Sequence, residues 1–284
     1  MRLGLGTVQF GLDYGVTNTT GQLNSDTCKD ILSYAQKGGI KILDTAAGYG
    51  ESEDILGELE ISKDFSLVSK IPTLAKSAPQ SLRQSIETTL TRLKRDSING
   101  ILLHNEQDLL ENKADDYYRE LLSLKAQGVV GQIGVSFYSV EAANEIIKRY
   151  DIDLIQIPAS HLDRRFENNK VIELAKSKNI EVHARSLFLQ GLLLANPDKR
   201  PEKFRSFNEL HRFDEQVELL NLTPLQLAMS YLTQTLEIDC AVVGCTSREQ
   251  LTQIIDAYNF CKKVKIEVPN LSTLNSALIN PVNW

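Results

Sequence analysis

The stretch ILDTAAGYGESE, residues 42–53, ends an apolar run on a carboxylate, Asp44, and sets Tyr49 between two glycines five residues later. Two further apolar runs also end on polar groups, SLVSK on Lys70 and GILLH on His104. Side chains of these four types support acid catalysis at a carbonyl. A free phenol has a pKa of about 10 and is a poor acid at neutral pH. A neighbouring ammonium favours the phenolate and lowers that value. Lys70 supplies the ammonium, Asp44 holds it charged by pairing with it, and His104 donates a hydrogen bond that orients a substrate oxygen. This chemistry needs no nucleophile. Singly, each residue has a plainer reading: an Asp that caps the next helix, a packing Tyr, a solvated Lys before Pro72, a core His. Their joint placement at successive strand ends favours a site.

Groups so far apart in sequence meet only if strand ends converge. Short apolar runs suited to strands recur at 2–6, 40–44, 66–70, 100–104, 132–136, 154–157, 180–184 and 240–244. Amphipathic stretches fill the gaps. Residues 25–39 begin on Ser-Asp and stop on Gly, and 78–95 place Leu82, Ile86, Leu90 and Leu93 at helical spacing. Helices are also expected over 114–128, 139–150 and 223–236, the last with Thr223 as cap and Pro224 at its first position. Strands such as GILLH and AVVG lack polar alternation, which suits a parallel sheet covered on both faces. Eight strand–helix units in 284 residues fit an α/β fold of the (β/α)₈ TIM-barrel type. A doubly wound open sheet is the runner-up, but GLGTVQFG after the first strand does not fit its glycine-rich turn. No linker divides the chain, so one domain is expected over 1–284, with a long connection at about 186–238 after strand seven. In such a barrel Asp44, Lys70, His104, Ser136, Gln156, Arg185 and Gly244 share one mouth, with Tyr49 just beyond strand two.

Composition narrows the function. The chain is 42% hydrophobic and 24% charged, with net charge −6 and scattered basic residues, which argues against nucleic acid as a partner. No apolar run reaches a membrane-spanning length, and the N-terminus lacks a signal-peptide pattern. Cys28, Cys240, Cys245 and Cys261 form no Cys-x-x-Cys pair, and the four histidines are dispersed, so no metal site is expected. Reduced thiols point to the cytoplasm. The oligomeric state is left open.

The segments LGLGTVQFG, DTAAGYGESEDILG, LVSK, ILLH, GQIGVS, LIQIP, ARSLFLQGLL and VVGCTSREQL resemble, in order, the landmarks of the aldo-keto reductases, over about residues 3–251. The pattern D-T-A-x-x-Y-G-x-S-E is highly specific to that family. The resemblance implies a barrel that reduces a small carbonyl substrate with a nicotinamide cofactor, usually NADPH, with NADH as the alternative. It implies a catalytic tetrad of Asp44, Tyr49, Lys70 and His104. It also implies cofactor contacts at Gly6 and Thr7, at Ser136 and Gln156 for the carboxamide, and at Ser186, Leu187 and Gly191 for the pyrophosphate. Gly244, Thr246, Ser247 and Gln250 fall at the phosphate-binding turn and helix start. Five positions depart from the family. Phe137 stands where an Asn is usual, and Arg185 where an aromatic commonly stacks on the nicotinamide; a guanidinium plane also stacks. Gly244 and Gln250 stand where some members place Lys and Arg on the 2′-phosphate, leaving Arg248 as the substitute; Ile254 replaces a frequent Asn.

The extended segment GTVQFGLDYGVTNTTGQ resembles a bacterial subset associated with surface-polysaccharide biosynthesis, which implies a sugar-like carbonyl. Asp13 and Tyr14 are expected either to border the substrate pocket or to stabilise their own loop. Trp284 either closes over the mouth or packs on the barrel. Two rival readings stay open: a barrel lyase with Lys70 as Schiff-base nucleophile, and a cofactor-binding sensor or subunit with little turnover.

Overall fold

A computed structural model describes residues 1–74 and 82–284. Its centre is a closed barrel of eight parallel strands in sequence order. They are β1 (Leu3–Gly6), β2 (Ile42–Asp44), β3 (Ser66–Ile71), β4 (Ile98–Leu103), β5 (Val130–Ser136), β6 (Leu154–Pro158), β7 (Glu181–Arg185) and β8 (Cys240–Val243). Strand β8 pairs back onto β1 with Leu3 opposite Ala241, so no edge is left exposed. The barrel expectation holds and the open sheet is excluded.

Side-chain alternation sorts the strands into two cores. Outward residues such as Leu5, Leu43, Leu67, Ile101, Ile133 and Ile155 are fully buried under the helices. Inward residues Ile42, Val68, Leu102 and Leu154 form a separate small cluster in the barrel. Burial on both faces is why the strands read as continuous apolar runs. Each large aliphatic buried this way stabilises the fold by about 1.5–3 kcal/mol. The inward positions two residues further along are Asp44, Lys70, His104 and Gln156. Period two therefore stands four polar groups on an apolar floor at the C-terminal mouth.

The helices form where their caps and stripes direct. Helix α1 (Val8–Gly11) is one turn; α2 (Ser25–Lys37) starts when the Asn24 side chain accepts from Thr27 N, and buries Cys28, Ile31, Leu32 and Ala35. Its cap is thus one residue earlier than the Ser-Asp start expected. Helix α3 (Ser52–Glu58) follows the Tyr49 turn. Helix α4 covers Leu82–Leu93; the beginning of the helix expected from residue 78 lies outside the described residues. Helices α5 (Ala114–Ala126) and α6 (Val140–Arg149) follow β4 and β5. Helices α7 (Arg165–Asn168) and α8 (Val171–Ser177) follow β6.

The connection from β7 to β8 carries α9 (Glu202–Arg205), α10 (Asn208–Leu219) and α11 (Pro224–Gln234). Thr223 and Gln226 close the α11 capping box, with Pro224 at its start as expected. The connection is tied down by Arg200, 2% exposed, whose guanidinium donates to both Asp214 oxygens (2.5 and 2.6 Å) and to Leu192 O (3.2 Å). Trp284 packs edge-on against Phe204 at 5.0 Å rather than spanning the mouth. Helix α12 (Arg248–Lys263) and the short α13 (Ser276–Ile279) complete the chain. Among the described residues no helix is long and apolar enough to cross a membrane.

Candidate active site

Lys70 is the hub of the mouth and is 0% exposed. Its Nζ donates to Asp44 Oδ1 (2.5 Å), Thr45 O (3.1 Å) and Tyr49 Oη (3.2 Å). An ammonium has three hydrogens, and all three are used. Gln156 Nε2 donates to the other Asp44 oxygen at 2.7 Å, so both carboxylate oxygens are engaged. Because Tyr49 Oη accepts from Lys70, its own O–H is directed elsewhere, into the cavity it lines. The His104 ring stands edge-on to the Tyr49 ring, centroids 6.1 Å apart.

Tyr49 sits on a turn, and the turn is held by its neighbours. Ser52 Oγ donates to Thr7 O (2.9 Å) and lies within hydrogen-bonding distance of Thr7 Oγ1 (2.8 Å) and Thr45 Oγ1 (3.0 Å), binding α3 to the ends of β1 and β2. Gly11 approaches so closely that a Cβ there would lie 1.9 Å from Tyr49 O. Buried Glu53 accepts from Ser69 Oγ at 2.6 Å, one residue before Lys70. Within D-T-A-x-x-Y-G-x-S-E, Ser52 and Glu53 therefore hold the strand ends in place, a use that the motif itself does not reveal.

The electrostatics differ in one respect from the sequence expectation. Burial pushes the Tyr49 phenol above its ordinary pKa; the charge and hydrogen bond of Lys70 pull it down, Asp44 pushes it up, and the net direction is upward. The expected lowering by Lys70 is present but outweighed. Burial lowers the pKa of Lys70, yet Asp44 and Tyr49 more than offset this, and the amine stays charged. Burial, Lys70 and Arg185 push His104 down to about 4, so it is neutral at pH 7.

The four residues line a cavity of about 890 Å³ together with Gly6, Ser136, Gln156, Arg185, Ser186, Leu187, Gly191, Gly244, Thr246 and Gln250. The loop after α1, including Tyr14, roofs it and meets the segment after β7 where Thr17 Oγ1 contacts Gln190 O at 3.4 Å. Three buried groups on the wall have no protein partner: Gln9 Oε1, Ser136 Oγ and Arg185 Nε. Gln156, by donating to Asp44, leaves its Oε1 as an acceptor beside Ser136 across the β5–β6 register. A donor hydroxyl next to an amide acceptor fits a carboxamide, which needs both. On that ground the residues present fit a nicotinamide.

Three expected cofactor residues lie outside the lining. Thr7 is buried, its hydroxyl donating to Asp44 O at 3.0 Å. Ser247 caps α12 by accepting from Gln250 N. Arg248 turns toward α2, 3.6 Å from Asp30 and over the Tyr34 ring. Gln250 folds back to accept from Thr246 N at 2.8 Å, and a Cβ on Gly244 would lie 2.8 Å from the Gln9 amide. Gln9, Tyr138 and Glu106 belong to the site without a sequence signal. Tyr138 carries the Arg185 guanidinium over its ring at 4.3 Å, and Glu106 accepts from Tyr138 N and Ser139 N.

The eight-stranded barrel thus carries at its C-terminal mouth an Asp–Lys–Tyr hydrogen-bonded group and a neutral His. The profile of the Aldo/keto reductase family matches residues 2–275, and the chain belongs to that family. It is 27% identical over 266 residues to an uncharacterized oxidoreductase of Bacillus subtilis (86% of each chain). It is 25% identical over 296 residues to an NADH-specific methylglyoxal reductase of Escherichia coli (91% of this chain, 90% of the other). Among solved structures, the holo form of an aldo-keto reductase from Bacillus halodurans superposes with a TM-score of 0.72 at 20% identity, covering 95% of this chain and 94% of the other. That likeness speaks for the fold alone.

Proposed function

We propose that this protein reduces a small aldehyde or ketone to the alcohol with a nicotinamide dinucleotide, with Tyr49 as the general acid. The observation that carries the reading is the triple use of Lys70, which leaves the Tyr49 O–H free to donate into the cavity. A nicotinamide dinucleotide, when bound, supplies the hydride. The chain's residues do the rest. Ser136 and Gln156 orient the carboxamide, the 186–191 segment and the α12 start take the phosphates, and neutral His104 donates to the substrate oxygen. Tyr49 delivers its proton to that oxygen as it gains negative charge, and the Lys70 ammonium stabilises the phenolate left behind.

A Schiff-base role for Lys70 requires a neutral amine, whereas Asp44 holds it charged; nothing favours the sensor reading. NADPH is the family expectation. Three placements support NADH as its alternative: Gly244 is overlaid by Gln9, Gln250 is folded onto Thr246, and Arg248 is paired with Asp30. The relatives' names, which include a D-threo-aldose 1-dehydrogenase of a Pseudomonas species, support a small hydroxylated or dicarbonyl substrate. Four buried free thiols suit the cytoplasm.

The test compares wild type with Tyr49→Phe over an aldehyde panel, with fluorescence titration by NADH and NADPH. We expect turnover to drop by about 10²–10⁴-fold in the variant with affinity for the reduced cofactor retained. Near-wild-type turnover in Tyr49→Phe rules out the acid role. Failure of the wild type to bind either nucleotide rules out the reductase reading.

A further inference from the structure

We infer that Arg185 makes this site discriminate between the two redox states of its cofactor, disfavouring the oxidised form; this rests on the nicotinamide reading above. Arg185 ends β7 inside the cavity and its guanidinium is fixed. Nη2 donates to Phe137 O at 3.0 Å, the plane lies 4.3 Å over Tyr138, and Nε is buried without a partner. Its charge is felt at Tyr14, Tyr49 and His104, the groups around the reacting space. Among the described residues no carboxylate forms an ion pair with it within 4.0 Å. Glu106 feels its charge, and that carboxylate is engaged by the Tyr138 and Ser139 amides. The other cation at the mouth, Lys70, is neutralised by Asp44.

The reaction changes the charge beside this group. Hydride, one proton with two electrons, leaves the dihydronicotinamide for the carbonyl carbon, and the Tyr49 proton goes to the carbonyl oxygen. The substrate becomes a neutral alcohol and the nicotinamide ring becomes a cation. A ring placed to reach a carbonyl held by Tyr49 and His104 would lie in the same cavity as the guanidinium. The neutral reduced ring feels little of that charge, and the cationic ring is repelled. Arg185 therefore weakens binding of the oxidised form selectively. It gives up some driving force for hydride donation in return for faster exit of the spent cofactor, the step that limits many reductions.

The readout is the ratio Kd(oxidised)/Kd(reduced), measured by fluorescence titration of the reduced nucleotide and its competition by the oxidised one. The pair used is whichever of NADPH/NADP⁺ or NADH/NAD⁺ binds more tightly. Arg185→Gln, which keeps a donor for Phe137 O, and Arg185→Met remove the charge; Arg185→Lys keeps it. We expect the ratio to fall about tenfold in a neutral variant that folds, corresponding to a downward shift of about 30 mV in the bound two-electron couple. Arg185→Lys should stay within about threefold of wild type, since the charge is preserved. An unchanged ratio in the neutral variants overturns the inference and leaves the reductase reading intact, as does a fall in Arg185→Lys equal to that in Arg185→Gln. If neither redox state binds the wild type, the inference falls together with the reading it rests on.

Discussion

The chemistry of the site comes down to how one ammonium is shared. Lys70 is buried beside Asp44 and Tyr49, so its removal has two consequences of different kinds. In Lys70→Met the Asp44 carboxylate loses its buried counter-ion, which costs about 3–5 kcal/mol of stability. The phenol also loses the charge that lowers its pKa. On the proposed mechanism reduction requires the protonated phenol, so activity should fall as pH rises through the Tyr49 pKa. With Lys70 gone that pKa rises, and the alkaline limb of the kcat profile should move to higher pH while kcat drops. A pH–rate profile of Lys70→Met with its alkaline limb where wild type has it would refute the coupling. Asp44, Tyr49, Lys70 and His104 were all legible in the sequence because each is a polar residue at or just beyond the end of an apolar run. Tyr138 and Glu106 were not. Their place depends on which backbone amides and which guanidinium come to lie beside them, and no local pattern encodes that.

At the level of elements, the Tyr49 turn depends on α1 as much as on β2. Gly11 ends α1 against the turn, and a Cβ there would fall 1.9 Å from Tyr49 O and 2.4 Å from Ser52 N. Backbone atoms cannot yield as a flexible side chain can, so Gly11→Ala must shift the turn. We expect a stability loss of about 1–3 kcal/mol and, if Tyr49 is the proposed acid, a fall in kcat of roughly a hundredfold from displacing it by an ångström or so. Cofactor affinity should change little, because the proposed carboxamide contacts Ser136 and Gln156 stand on β5 and β6. A variant that melts earlier yet turns over at the wild-type rate would show that α1 does not position Tyr49. The strands and most helices were readable from apolar periodicity and caps. The short α1 was not, since four residues carry no periodicity. The residues after β7 read as a long connection with a helix over 223–236, and their ordering by Arg200 and Asp214 depends on a contact fourteen residues apart in sequence.

The molecule as a whole carries an acid-sensitive element away from the mouth. His161 follows β6, is 3% exposed, and lies 2.8 Å from Ser230 Oγ on α11. Burial, with the Arg164 charge, pushes its pKa down to about 4. In the unfolded chain it takes a proton near its ordinary value of about 6.5. Between those two values the unfolded state binds more protons, so stability falls as pH drops from about 6.5 towards 4, by about 2–3 kcal/mol at pH 4.5. Urea unfolding at pH 7 and 4.5 should show His161→Gln losing about that much less than wild type between the two pH values. Equal losses in the two proteins would mean that His161 protonates in the folded state without cost.

Periodicity, strand-end chemistry and turn residues are local properties, and with them the sequence by itself determined the barrel, its eight strands and the four polar side chains that meet at its mouth. Which polar atom meets which partner was decided only by the tertiary structure. Closing the barrel converts period-two alternation into a ring of inward groups at a common height, and thereby brings Gln156 onto Asp44 across 112 residues. Burial then decides charge behaviour: it carries the Tyr49 phenol upward despite Lys70, and it keeps His104 neutral. Desolvation depends on everything packed around a group, and that is a property of the folded whole.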